Sequence, residues 1–178
     1  GTVNRVIIGI DPGATGGIVI GDSGVPEVLS MPETEHDMVE IIRKVAQSPF
    51  DKVAVIEKVS GYAGGEGNPG SAMFNFGRSV GVLYGALIAF EIRIEEVTPQ
   101  KWQKALSLGT REHARSSPGA SPEEKKRIRA LNARYKTEWK NKLKAEAQRL
   151  FPSVKVTLKT ADALLIYEYA RRFSISNF

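Results

Sequence analysis

The segment Arg5–Asp11 constrains this chain more than any other. Val6, Ile7, Ile8 and Ile10 form a near-continuous apolar run that ends at an aspartate followed by Pro12-Gly13. A strand with no polar face must be covered on both sides, which places it inside a sheet flanked by helices. Gly17–Ile20 begins a second strand of the same kind, and Val25–Met31 reads as a third after the Gly21–Gly24 turn. Connections this short make the first three strands an antiparallel meander.

The rest of the chain alternates. Glu35–Gln47 carries Met38, Ile41, Ile42 and Val45 at the spacing of an amphipathic helix. Lys52–Glu57 is another buried strand, and the glycine-rich stretch Ser60–Ser71 reads as a loop. Met73–Phe90 is apolar or small on nearly every side, which predicts a buried helix, with Gly77, Gly81 and Gly85 allowing tight packing against a neighbour. Ile92–Val97 is a strand, Pro99–Leu106 a short helix, and Gly109–Ser121 a polar, mobile loop. Ser121-Pro122-Glu123-Glu124 combines an N-cap, a first-turn proline and two carboxylates against the helix dipole. One or two basic helices follow to Leu150, before Pro152; a short strand is expected near Val154–Thr157, and a last helix over Thr160–Arg172, capped by Thr160. The order implies an α/β fold: one mixed five-stranded sheet, antiparallel in its first three strands, with helices on both faces.

Composition narrows the chemistry. A chain of 178 residues, 42% hydrophobic, fits one domain with an ordinary core. It has no cysteine, which removes disulfides and thiolate chemistry, and its two histidines, His36 and His113, are too few for a histidine-built zinc centre. No apolar run reaches the length of a membrane span and no secretory leader opens the chain, so a soluble protein is expected, in the cytoplasm or another DNA-containing compartment. The net charge of +5 is unevenly spread: Lys101–Arg149 holds 14 Lys/Arg against 5 Asp/Glu, leaving the remainder acidic. Such a block fits either a polyanion-binding surface or a solvated helical face.

Three carboxylates stand where elements end or begin. Asp11 closes the first strand, Glu57 closes Lys52–Glu57, and Asp162 lies in the first turn of the last helix. If the first and fourth strands pair, Asp11 and Glu57 lie side by side. Converging carboxylates repel one another unless a cation neutralises them, and such oxygen donors suit Mg²⁺ or Mn²⁺, with two ions able to activate water and stabilise the leaving oxygen of a phosphodiester. Alone, each has an ordinary explanation: a turn cap for Asp11, a strand-end charge for Glu57, a dipole partner for Asp162. Asp11–Gly17 also matches the phosphate-cradling turn of two-lobed sugar kinases and actin-like ATPases, but 178 residues are too few for two lobes.

The stretch IIGIDPGATGGIVI, then VIEKVSGYAGG and SAMFNFGRSVGVLYGAL, then VTPQKWQKAL, AEAQRLFP and ADALLIYEYARR, resembles the RuvC-type Holliday-junction resolvases of the ribonuclease-H-like superfamily, most closely their phage and chloroplast branch. The blocks are collinear over nearly the whole chain, apart from a basic insertion at about 109–136. The resemblance implies a single nuclease domain that acts as a homodimer and nicks opposed strands of four-way DNA symmetrically. It places Asp11, Glu57 and Asp162 on the family's Mg²⁺- or Mn²⁺-binding carboxylates. One position departs from the pattern. Where a further Asp, Glu or His is usual, three or four residues before the last aspartate, this chain has Lys159 and Leu158. A protonated lysine cannot ligate a metal, though it can contact the scissile phosphate; Glu168 is turned off the Asp162 face of the helix.

Lys101, Lys104, Arg111, Arg115, Lys140 and Lys144 are the phosphate-contact candidates, with Arg78 as a further one. Phe74, beyond the glycine-rich loop, is either a wedge between bases or, with Phe76, a core residue; Trp102 and Trp139 read as packing residues. Two other functions fit the same residues: a junction-binding protein that has lost cleavage, and a ribonuclease-H-like nuclease acting on RNA or hybrids.

Overall fold

A computed structural model describes residues 4–58 and 70–174 of the chain. Its five strands are β1 (Arg5–Asp11), β2 (Gly17–Gly21), β3 (Glu27–Ser30), β4 (Asp51–Glu57) and β5 (Arg93–Val97). The helices are α1 (Glu35–Ala46), α2 (Gly70–Ala89), α3 (Pro99–Ala105), α4 (Pro122–Leu150) and α5 (Ala161–Phe173). The strands form one sheet in the order β3-β2-β1-β4-β5. The β1–β2 and β2–β3 pairs are antiparallel, whereas β1–β4 and β4–β5 are parallel. The expected mixed sheet with an antiparallel start is what the chain forms, and β1 is its central strand.

Side-chain alternation divides the core in two. Ile7, Val53 and Val55 point to one face, where they pack with Trp102, Leu143 and the α5 residues Ala163, Leu164 and Tyr167. Val6, Ile8, Ile10, Ala54 and Ile56 point to the other, against Met38, Ile42, Leu83 and Leu87 of α1 and α2. This double cover accounts for the unbroken apolar run in β1. Gly9 allows α5 to cross β1 at close range: a Cβ there would stand 2.8 Å from both the Ala163 carbonyl oxygen and the Tyr167 nitrogen.

Local rules set most element starts. Thr34, Thr98 and Ser121 accept hydrogen bonds from Asp37, Lys101 and Glu124 backbone N–H groups, at 3.1, 3.2 and 3.1 Å, as N-caps of α1, α3 and α4. Thr160 does not cap α5; its hydroxyl accepts from the Thr157 N–H at 3.1 Å instead. Val154–Thr157 is not a strand, because Gln148 satisfies its backbone, donating to the Val154 carbonyl and accepting from the Val156 N–H. The basic region downstream of Ser121 is one 29-residue helix.

Two larger expectations change. Gly109–Ser121 has no regular structure but is fastened: Asn132 of α4 accepts from the Ala114 N–H at 2.7 Å and donates to its carbonyl at 2.9 Å. α2 is not buried all round. Only Leu83, Ala86 and Leu87 are buried, Phe74 is 68% and Ile88 66% exposed, and Cβ atoms at Gly77, Gly81 or Gly85 would meet nothing within 4 Å. The glycine stripe faces away from the residues that touch the sheet, so its expected packing partner is absent among the described residues. By length and composition α2 is also apolar enough to cross a membrane, contrary to the expectation that no segment is. In this fold it lies against α1 and the sheet, tied by an Arg78–Glu35 ion pair at 2.5 Å. The Ser60–Ser71 loop lies outside the described residues except for Gly70 and Ser71, which are helical.

Candidate active site

Strand register brings the first two carboxylates together. Ile10 pairs with Ile56 in the parallel β1–β4 ladder, so Asp11 and Glu57 occupy the next position of adjacent strands. Both share the parity of Ile7, Val53 and Val55, and therefore face the side of the sheet covered by α5. α5 supplies the third. Its contact with Gly9 through Ala163 sets the preceding residue, Asp162, over the end of β1.

The turn after Asp11 is built closely around it. Gly16 donates to the Gly13 carbonyl at 3.0 Å, and a Cβ at Gly16 would fall 1.9 Å from the Asp11 carbonyl oxygen. Gly13 has a φ of +106°, which favours glycine, and the Phe76 ring of α2 lies against it. Gly17, the partner of Asp11 in the β1–β2 ladder, meets the Lys159 carbonyl on its other side. Lys159 thus borders the site through its backbone, with its side chain exposed.

The three carboxylates are each buried, and Asp162 acts electrostatically on both Asp11 and Glu57. Burial, followed by repulsion from Asp162 and Glu57, pushes the Asp11 carboxyl up to about 8, against the lowering effect of the Lys140 ammonium. Burial also raises Glu57 to about 7; a hydrogen bond from Trp102 opposes this and Asp162 adds to it. Asp162 is raised by burial, again opposed by Lys140. Among the described residues, no three Asp, Glu or His side chains stand at cage distance from one another. Register, burial and mutual repulsion define the cluster, and its oxygen-only donors suit a hard divalent cation.

Trp102 is the residue that sequence reasoning undervalued. It is fully buried, as a packing residue should be, but its indole Nε1–H donates to Glu57 Oε2 at 2.8 Å. The signal in the sequence was its place on α3, directly after the strand neighbouring β4. Glu168 has a different job from that of a ligand. It is 3% exposed and bound by Arg171 and Arg172 on its own helix, with its carboxyl held below the ordinary range.

The proposed phosphate contacts divide into groups. Lys140 and Lys144 lie one turn apart on α4, and the Lys140 charge is felt at both Asp11 and Asp162. Lys101 and Lys104 are exposed on α3, and Arg111 and Arg115 on the segment after it. Arg78 is exposed but engaged by Glu35 through two hydrogen bonds. Phe74 projects into solvent, whereas Phe76 is half-buried against the Asp11 turn.

No family model matches the chain, and no curated protein does. Among solved structures it is similar to RuvC of Thermus thermophilus, with a TM-score of 0.51 and 15% identity over 94% of this chain and 95% of that one. It is likewise similar to T. thermophilus RuvC in complex with Holliday junction substrate, at a TM-score of 0.51 and 14% identity over the same shares. At this identity the likeness is one of fold, and the chain has the α/β fold of RuvC.

Proposed function

We propose that this protein is a structure-selective DNA endonuclease that resolves four-way junctions by paired symmetric nicks. The observation that carries the reading is the convergence of Asp11, Glu57 and Asp162, from three separate elements, on one face at one end of the sheet. Their fold is that of a protein solved with a Holliday junction substrate, which supports branched DNA as the substrate class. Within the resolvases, the sequence blocks alone favour the phage and chloroplast branch.

Asp11, Glu57 and Asp162 would hold Mg²⁺ or Mn²⁺, two ions in the full site, which supply Lewis acidity and a deprotonated water for phosphodiester hydrolysis. The remaining steps belong to the chain. Trp102 fixes one Glu57 oxygen, Oε2, by donating to it. Lys140 brings positive charge to the cluster, where a scissile phosphate must approach three carboxylates. Lys159, beside Gly17, is available to the same phosphate, and Phe74 is exposed for insertion at the junction centre. Paired nicks need two sites, so the active species is a homodimer. The exposed apolar side of α2, including Ile88, supports a second copy docking there.

The test is cleavage of a movable synthetic four-way junction with Mg²⁺ or Mn²⁺, with the nicks mapped and linear duplex and RNA–DNA hybrid as competitors. Paired nicks confined to the junction are expected; equal rates on all three substrates would overturn the assignment. Asp11→Asn should abolish nicking and leave junction binding within severalfold. A second reading, binding without cleavage, is favoured by Lys159 standing where a fourth ligand is usual. Junctions bound but uncut, with Lys159→Asp restoring nicks, would establish it.

A further inference from the structure

A cleft of about 730 Å³ lies between α3, the segment after it and α4, within the size range of small-ligand sites. Its shape is set by the backbone. The chain leaves α3 through Ser107 and Gly109, at φ of 55° and 86°, and Asn132 then pins Ala114 to α4. Gln100 and Gln103, one turn apart on α3, share the lining with Lys104, Arg111 and Trp139. No acidic residue lines it. Lys104 and Arg111 form no ion pair, and the two glutamine amides no hydrogen bond, among the described residues.

We propose that this cleft receives an unpaired nucleotide of the DNA substrate, its base against Trp139 and its phosphate bound by Lys104 and Arg111. The inference rests on the nuclease reading for the source of the nucleotide. A duplex is too broad for a hollow of this volume, whereas a single base and its phosphate fit. Trp139 offers a stacking surface of the kind single-stranded nucleic acid uses. Lys142, 5.5 Å from the ring centroid, belongs to a second, smaller hollow beside Trp139 and does not line the cleft. Gln100 and Gln103 each present a donor and an acceptor, the groups a base edge requires. Within the nuclease reading, opening a base pair at the junction centre would supply such a nucleotide, and the cleft would then contribute to nucleotide preference.

The experiment uses the whole protein and a single-stranded thymidine tetranucleotide, with a blunt two-strand duplex as control. Of the two tryptophans, Trp102 is fully buried, so ligand quenching reports on Trp139. Saturable quenching by the tetranucleotide but not the duplex is expected. Its midpoint should weaken about tenfold in Lys104→Ala and in the Gln100→Ala/Gln103→Ala double variant, with thermal unfolding unchanged. Trp139→Phe should remove the signal. The proposal is overturned if the tetranucleotide leaves fluorescence unchanged, if the duplex quenches equally, or if the variants match the parent. Junction nicking assayed on the same samples separates the two readings: intact nicking without quenching rejects the cleft alone, and quenching without nicking rejects the nuclease assignment alone.

Discussion

Single side chains decide how the carboxylates are held. Trp102 does so by one hydrogen bond, since its indole occupies one Glu57 oxygen and opposes the rise in the Glu57 carboxyl. Trp102→Phe keeps an aromatic ring in the core but removes the donor. In the proposed nuclease, nicking should fall about tenfold, in line with the loss of a residue orienting a proposed metal ligand. The Glu57 carboxyl should also rise, moving the acid limb of the pH–rate profile to higher pH. A purely structural role for Trp102 would lower stability and leave that limb in place. The sequence offered a tryptophan after a strand and supported packing as its role. The hydrogen bond depends on β4 and α3 being neighbours, a fact of tertiary structure.

At the scale of elements, close approach is what turns three strand and helix ends into one site. Gly9 is the contact point between β1 and α5, and Gly9→Ala should force them apart by crowding the Ala163 carbonyl and the Tyr167 nitrogen. Overpacking of this kind costs about 1–3 kcal/mol, or roughly 2–12 °C in melting temperature for a chain of this size. Because Asp162 rides on the displaced helix, nicking should fall by more than the loss of folded protein explains. α2 poses the opposite case. Its apolar sequence predicted burial, yet much of it is exposed in one copy of the chain. If the chain forms the proposed homodimer through this face, Ile88→Glu should convert it to a monomer in analytical ultracentrifugation without lowering the melting temperature of the monomer; a dimer that persists would place the interface elsewhere, and a parent chain that is monomeric would overturn the dimer. Apolar composition located α2, but composition carries no record of whether an apolar face meets the same chain or another.

For the molecule as a whole, burial of the carboxylates, with repulsion among them as a lesser cause, links folding to pH and to metal. In the absence of a divalent ion, Asp11, Glu57 and Asp162 bind protons more tightly in the folded chain than in the unfolded one. The unfolded chain therefore loses protons first as pH rises, and stability falls between about 4 and about 8, the ordinary and raised values for Asp11. Thermal unfolding in chelator should move to lower temperature across that window, and Mg²⁺ or Mn²⁺ should reverse the trend by binding only the folded form. A melting temperature independent of both pH and metal would remove the carboxylates from any shared site. The sequence by itself determined the order of the main elements, the double-covered central strand and the Ser121 cap of α4, and it singled out three carboxylates at element ends, because alternation, helical periodicity and capping are local and leave their mark on neighbouring residues. Only the tertiary structure decided that Trp102 serves Glu57, that Lys140 faces the cluster, that Asn132 fastens the Gly109–Ser121 segment over a cleft, and that α2 keeps an open face. Each of these depends on which elements pack together, and distance along the chain carries no record of that.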